Sequence, residues 1–60
     1  MNKITIVLFD YEDEPIVREQ IEIRDDNEPR KNKLINEHIL YLLGFYGEQF
    51  EICKIEILRN

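Results

Sequence analysis

Sixty residues make one small domain, residues 1–60, with a marginal core: a chain of this length buries only about 60% of the surface it exposes when unfolded. A hydrophobic share of 43% beside a charged share of 35%, with isoleucine-rich runs, excludes a disordered chain. Thirteen acids against eight bases leave a formal charge of −5, which disfavours direct contact with nucleic acid or an anionic membrane and favours a partner with a positive patch.

The first predicted element is a strand, Ile4-Thr5-Ile6-Val7-Leu8-Phe9, rich in β-branched residues. Ile4, Ile6 and Leu8 share one face; Thr5, Val7 and Phe9 share the other. A strand apolar on both faces is central in its sheet or covered on each side. Asp10 to Glu14 then form a turn closed by Pro15. Val17, Glu19, Ile21 and Ile23 alternate with Arg18, Gln20, Glu22 and Arg24, which is the period of a half-exposed second strand. The two strands make a hairpin.

Asp25 to Pro29 lead into a helix. Asn27 fits an N-cap with Glu28 and Pro29 in the first turn, and Asn32 is a second candidate. Ile35, His38, Ile39 and Leu42 recur at helical spacing and face the sheet, with Leu34 and Tyr41 widening that stripe. Gly44 is expected to end the helix and Phe45 to Glu48 to form a short turn. Phe50 to Leu58 read as a third strand. Cys53, Ile55 and Ile57 lie on one face, Phe50, Ile52 and Leu58 on the other, so the strand has a bulge near Ile52 or a covered second face.

The order ββαβ predicts an α+β fold: a three-stranded antiparallel sheet, order 2-1-3, with one helix packed on one face. A single helix leaves the second face of the first and third strands bare. A homodimer, through that face or by edge pairing of the third strand, would cover it. Long side chains such as Lys54 offer a cover from within the chain.

Catalytic patterns are scarce. There is no serine, one threonine, one cysteine and one histidine. A serine triad and a disulfide are excluded, and no zinc cluster can form. Cys53 is expected in a strand core and His38 on the core side of the helix, which leaves no activated thiol. Gly44 and Gly47 form no phosphate loop. The acidic turn lacks the spacing of a calcium loop. The basic run Arg30-Lys31-Asn32-Lys33 reads as a solvated first turn beside Asp25, Asp26 and Glu28. The expected protein is therefore non-enzymatic, with no cofactor and no metal. No apolar run approaches ~20 residues, so no membrane span is expected. Met1-Asn2-Lys3 lacks a signal-peptide layout, and the free thiol fits a cytoplasmic location.

The most distinctive stretch is Asp10-Tyr11-Glu12-Asp13-Glu14, four carboxylates in five residues with no base among them. Nothing in the pattern offsets their repulsion. A second acidic knot, Asp25, Asp26 and Glu28, lies at the far end of the second strand, with Glu19 and Glu22 between. Duplex DNA carries a negative charge about every 1.7 Å of axis. A strand of this length holds its two ends on the order of 30 Å apart, a reach that suits a DNA-binding surface. Tyr11 and Tyr46, placed in turns, are candidate contact anchors, while Tyr41 is expected in the core. The predicted partner-binding set is Asp10, Tyr11, Glu12, Asp13, Glu14, Glu19, Glu22, Asp25, Asp26 and Glu28.

A very short, acidic, cysteine-poor ββαβ chain with an acidic hairpin turn resembles the small host-takeover proteins of Bacillus phages. These are the inhibitors of uracil-DNA glycosylase and the inhibitor of the nucleoid protein HU. The resemblance covers the full length and lies in layout and charge. The glycosylase inhibitors carry an acidic–aromatic segment on the helix. This helix has only Glu37, with Tyr41 four residues on, and the acids lie in the loops instead. The resemblance implies a dimeric DNA mimic that occupies a basic DNA-binding protein of the host, with no direct nucleic-acid contact. A rival expectation is a protein-interaction module that inhibits a factor such as RNA polymerase or a cell-division protein through apolar or strand-edge contacts.

Overall fold

The computed structural model describes residues 2–59. Its elements are β1 (Asn2–Phe9), β2 (Pro15–Ile23), α1 (Glu28–Tyr46) and β3 (Lys54–Arg59). The strands form one antiparallel sheet in the order β2-β1-β3, so the predicted class and strand order hold. The molecule measures 35 × 20 × 14 Å along its principal axes.

Register decides which residues share a face, because opposed residues in an antiparallel pair point the same way. Ile4 pairs with Ile21 and Arg59, Ile6 with Glu19 and Ile57, and Leu8 with Val17 and Ile55. On this face Ile4, Ile6, Leu8, Val17 and Ile23 form one buried cluster with Ile35 and Leu42 of α1. Each fully buried aliphatic side chain contributes about 1.5–3 kcal/mol relative to exposure. The pairing shifts between Leu8 and Phe9, where Val17 and then Pro15 are the partners, so Ile16 is an extra residue in a bulge. Ile16 packs against the same cluster.

The opposite face is mixed, with Leu58 39% exposed beside buried neighbours on β1. Thr5 and Val7 are buried on it. Lys54 places its amino group 4.5 Å from the centroid of the Phe9 ring, so its alkyl stem and charge screen that ring.

Helix α1 starts as expected. Asn27 is extended, at φ −77° and ψ 113°, and its side-chain oxygen accepts from the Arg30 N–H at 3.1 Å. Its C-terminus differs from expectation. The helix runs through Gly44 and Phe45 to Tyr46, and Gly47 is the cap, its N–H donating to the Leu43 carbonyl at 2.8 Å. A Cβ on Gly47 would strike that carbonyl oxygen, whereas one on Gly44 would meet open space. Neither glycine takes the left-handed conformation of a C′ glycine, so the two differ only in the room around them.

The third strand also begins later than predicted. The N–H groups of Gln49 and Phe50 both donate to the Tyr46 carbonyl at 3.0 Å, which keeps the chain turning through Phe50. Regular pairing starts at Lys54. Cys53 therefore precedes the strand and is exposed, contrary to the core position expected of it. Ile52 packs against the core from the connecting segment.

Candidate functional site

The acidic turn is a three-residue hairpin loop, Tyr11-Glu12-Asp13, closed by Asp10 and Glu14. Asp10 N–H donates to the Glu14 carbonyl at 3.0 Å, and Asp13 N–H to the Asp10 carbonyl at 3.1 Å. Asp13 has φ 65°, the left-handed residue that such a loop requires after its first turn. Aspartate tolerates that conformation better than most residues.

Asp10 is an internal fastener. Its Oδ1 accepts the N–H groups of Glu12 at 2.9 Å and Glu14 at 3.0 Å. The repulsion that seemed uncompensated in the sequence is offset here by two amide dipoles aimed at one carboxylate. Asp10 thus serves the loop rather than presenting a charge outward. Tyr11 is 70% exposed, and Glu12, Asp13 and Glu14 are exposed beside it.

The remaining predicted acids divide by partner. Asp13 pairs with Lys54 at 3.3 Å, Glu22 with Arg24 at 3.3 Å, and Asp25 with Arg30 at 3.5 Å. Glu28 pairs with Lys31 at 3.0 Å and lies 3.9 Å from Arg59. Asp25 also accepts the Asn27 N–H at 2.9 Å. Glu19 accepts from His38 Nε2 at 3.0 Å, a part-buried contact that joins β2 to α1. Among the described residues, Glu12, Glu14 and Asp26 alone of the predicted acids have neither an ion pair nor a side-chain hydrogen bond. Within that set the unpaired acids lie at the hairpin tip and at Asp26, at opposite ends of β2; Glu37, Glu48, Glu51 and Glu56, outside it, also appear in no ion pair or side-chain hydrogen bond among the described residues. Two of the three bases in the basic run are occupied locally: Arg30 and Lys31 pair with Asp25 and Glu28, as the solvated-turn reading expects.

An apolar surface emerges from Leu34 and Tyr41, which the sequence reading set on the core-facing stripe, and Phe45, which it set in the following turn. Leu34, Tyr41 and Phe45 are exposed along one flank of α1, with Leu40 exposed elsewhere on the helix. His38, Tyr41, Phe45 and Tyr46 form a continuous aromatic run, with successive centroids 5.8, 6.2 and 4.8 Å apart. Tyr46 belongs to the helix and packs on the core, so it is not a free turn residue. Tyr41 changes places with it. The signal available in the sequence was angular: Leu34, Tyr41 and Phe45 fall about 70–110° away from the Ile35/Leu42 line on a helical projection, at the margin of the face that meets a sheet.

Two open surface depressions, about 230 and 300 Å³, are lined by Lys3, Gln20, Ile21 and Glu22, and by Asp25, Arg30, Lys33, Leu34 and Glu37. Neither includes His38 or Cys53. Among the described residues, no group of three or more His, Cys, Asp or Glu stands together as metal ligands, and no helix is long and apolar enough to cross a membrane. Comparison of the chain with protein-family models, curated proteins and solved structures gives no match.

Proposed function

We propose that this protein is a non-enzymatic inhibitor that occupies a cationic surface of another bacterial protein. The DNA-binding face of a nucleoid protein or DNA-repair enzyme, in the cytoplasm of a phage host, is the surface whose charge it fits. The observation that carries this reading is the fastened hairpin tip. The Asp10 side chain holds the loop, and the loop presents exposed Tyr11 together with Glu12 and Glu14, which have no cation of their own. A pre-formed loop loses little entropy on binding, an aromatic flanked by charge suits a contact anchor, and the net charge of −5 steers a basic partner toward it. The paired acids are not lost to such a partner. Exposed ion pairs such as Asp13–Lys54 contribute only about 0–1 kcal/mol, so a partner's lysine or arginine displaces Lys54 at small cost.

The exposed flank Leu34, Tyr41 and Phe45 favours a second reading, in which an apolar groove of a factor such as RNA polymerase or a cell-division protein is the target. One experiment separates the two. The protein is immobilised, exposed to bacterial lysate at low salt, and eluted with rising salt or competing duplex DNA. Charge-led binding predicts basic proteins that leave with salt and with DNA, and loss of that catch in E12Q/E14Q/D26N. A catch unchanged in that triple variant, resistant to salt, and lost in Y41A/F45A would overturn the charge-led reading in favour of the apolar one.

A further inference from the structure

Helix α1 carries a line of residues that its own sheet does not use. Arg30, Leu34, Glu37, Tyr41 and Phe45 recur at intervals of four, three, four and four, which keeps them on one flank at 3.6 residues per turn. The line continues past the end of the helix. Gly47 stays in the right-handed helical region, and the Phe50 N–H donates to the Tyr46 carbonyl at 3.0 Å. Glu48, about five turns after Arg30, therefore falls on the same flank. Leu34, Tyr41 and Phe45 are 45%, 61% and 55% exposed, and the Arg30 side chain is exposed with them. The flank thus has a base at one end, an acid at the other, and three large apolar side chains between, with Glu37 among them. Glu37 and Glu48 form no ion pair among the described residues.

We propose that this flank pairs with the same flank of a second copy of the chain, the two helices antiparallel about a two-fold axis at the level of Ile39. The argument is the charge order along the flank. Arg30 and Glu48 lie nine residues either side of Ile39, Glu37 and Tyr41 two, and Leu34 and Phe45 five and six. Antiparallel pairing therefore sets Arg30 against the partner's Glu48 and Leu34 against the partner's Phe45. It brings Glu37 to the partner's Tyr41, whose hydroxyl donates to the carboxylate. The flank is its own complement, as a two-fold contact between copies requires. Other arrangements lose this match. Parallel helices set Arg30 on Arg30, Glu37 on Glu37 and Glu48 on Glu48. Sliding the antiparallel pair one turn toward the N-terminus brings the two Glu37 carboxylates together. Sliding it one turn the other way sets Leu34 against Glu48 and Glu37 against Phe45.

The surface is set for this contact before a second copy arrives. The Tyr41 and Phe45 rings are stacked at 6.2 Å, and Tyr46, which packs on the core, backs Phe45 at 4.8 Å. Rings held in this way lose little freedom on association. Arg30 exchanges an exposed contact with Asp25 at 3.5 Å for the partner's Glu48. A second copy on the flank also accounts for its apolar exposure without a foreign groove. Glu12, Glu14 and Asp26 enter none of these pairs, so this proposal and the charge-led reading of the hairpin tip fail independently.

The test reads both association and register on the purified chain. Sedimentation equilibrium should give twice the 7.3 kDa chain mass for the parent. Y41A/F45A, which alters only exposed side chains, should sediment as a monomer with the helix content of the parent. R30E and E48R should each weaken association by about tenfold, because each turns two attractive pairs into two repulsive ones. R30E/E48R should restore it, since both pairs are then reversed together. Leu34 and Phe45 lie about 16 Å apart along one helix, so a methyl-to-ring NOE between them in a sample mixed from labelled and unlabelled protein arises only between copies. A monomer at all concentrations would return the flank to a foreign partner and overturn the proposal. No rescue in the double swap, or Leu34-to-Leu34 contacts in place of Leu34-to-Phe45, would overturn it equally.

Discussion

Replacing Asp10 by alanine separates a structural carboxylate from a functional one. The substitution removes the acceptor for two amides, at 2.9 and 3.0 Å, and leaves the two main-chain bonds of the loop in place. A hydrogen bond to a charged group contributes about 1.5–3 kcal/mol where water is excluded. Here the loop is solvated and the freed amides find water, so the two together amount to about 1–2 kcal/mol. At about 4–8 °C per kcal/mol for a domain of this size, D10A should melt roughly 5–15 °C below the parent. D10N keeps an oxygen in the same place without the charge, and should lose less than half as much. Thermal unfolding followed by circular dichroism measures the loss, and hydrogen exchange at the Glu12 and Glu14 amides locates it. D10N should also leave partner binding intact, since the Asp10 carboxylate is turned into the loop. Equal destabilisation in D10A and D10N, or none in D10A, would show that the acceptor geometry does not hold the tip.

Two further substitutions test the helix. Leu42 is 0% exposed and Leu40 68% exposed, two residues apart on α1. L42A should cost about 2–5 kcal/mol, a large part of the total stability of a 60-residue domain, while L40A should stay within about 0.5 kcal/mol in urea titrations; similar losses in both would mean that the helix is seated otherwise. N27A should lose about 1 kcal/mol through the Arg30 amide it leaves uncapped, with N27D close to the parent, and an unchanged urea midpoint for N27A would remove the cap from the account.

Much of the fold was legible because it rests on periodicity. The alternation through Val17 to Ile23 and the doubly apolar run Ile4 to Phe9 specify a hairpin with β1 central, and Asn27 marks the helix start by its own hydrogen-bonding chemistry. What periodicity does not encode is where a turn stops. The helix overran Gly44 because an exposed glycine tolerates helix, and Phe50 was drawn into the turn after Tyr46 by hydrogen bonding, which delayed β3 and exposed Cys53. The candidate site was legible as charge and not as geometry. Counting carboxylates treats Asp10 and Glu12 alike, yet one is folded inward by two amides and the other is free. Pairings such as Asp13 with Lys54, 41 residues apart, exist only after the sheet forms.

The position of β1 between neighbours from opposite ends of the chain dictates an order of assembly. Leu8 meets Val17 across a separation of nine residues, but meets Ile55 across a separation of 47 (17 − 8 and 55 − 8). Closing the longer loop costs about 1.5 kcal/mol more in chain entropy. The β1–β2 ribbon therefore zips first on local contacts, and the last strand arrives against a finished template, as the late and most readily reversed step of folding.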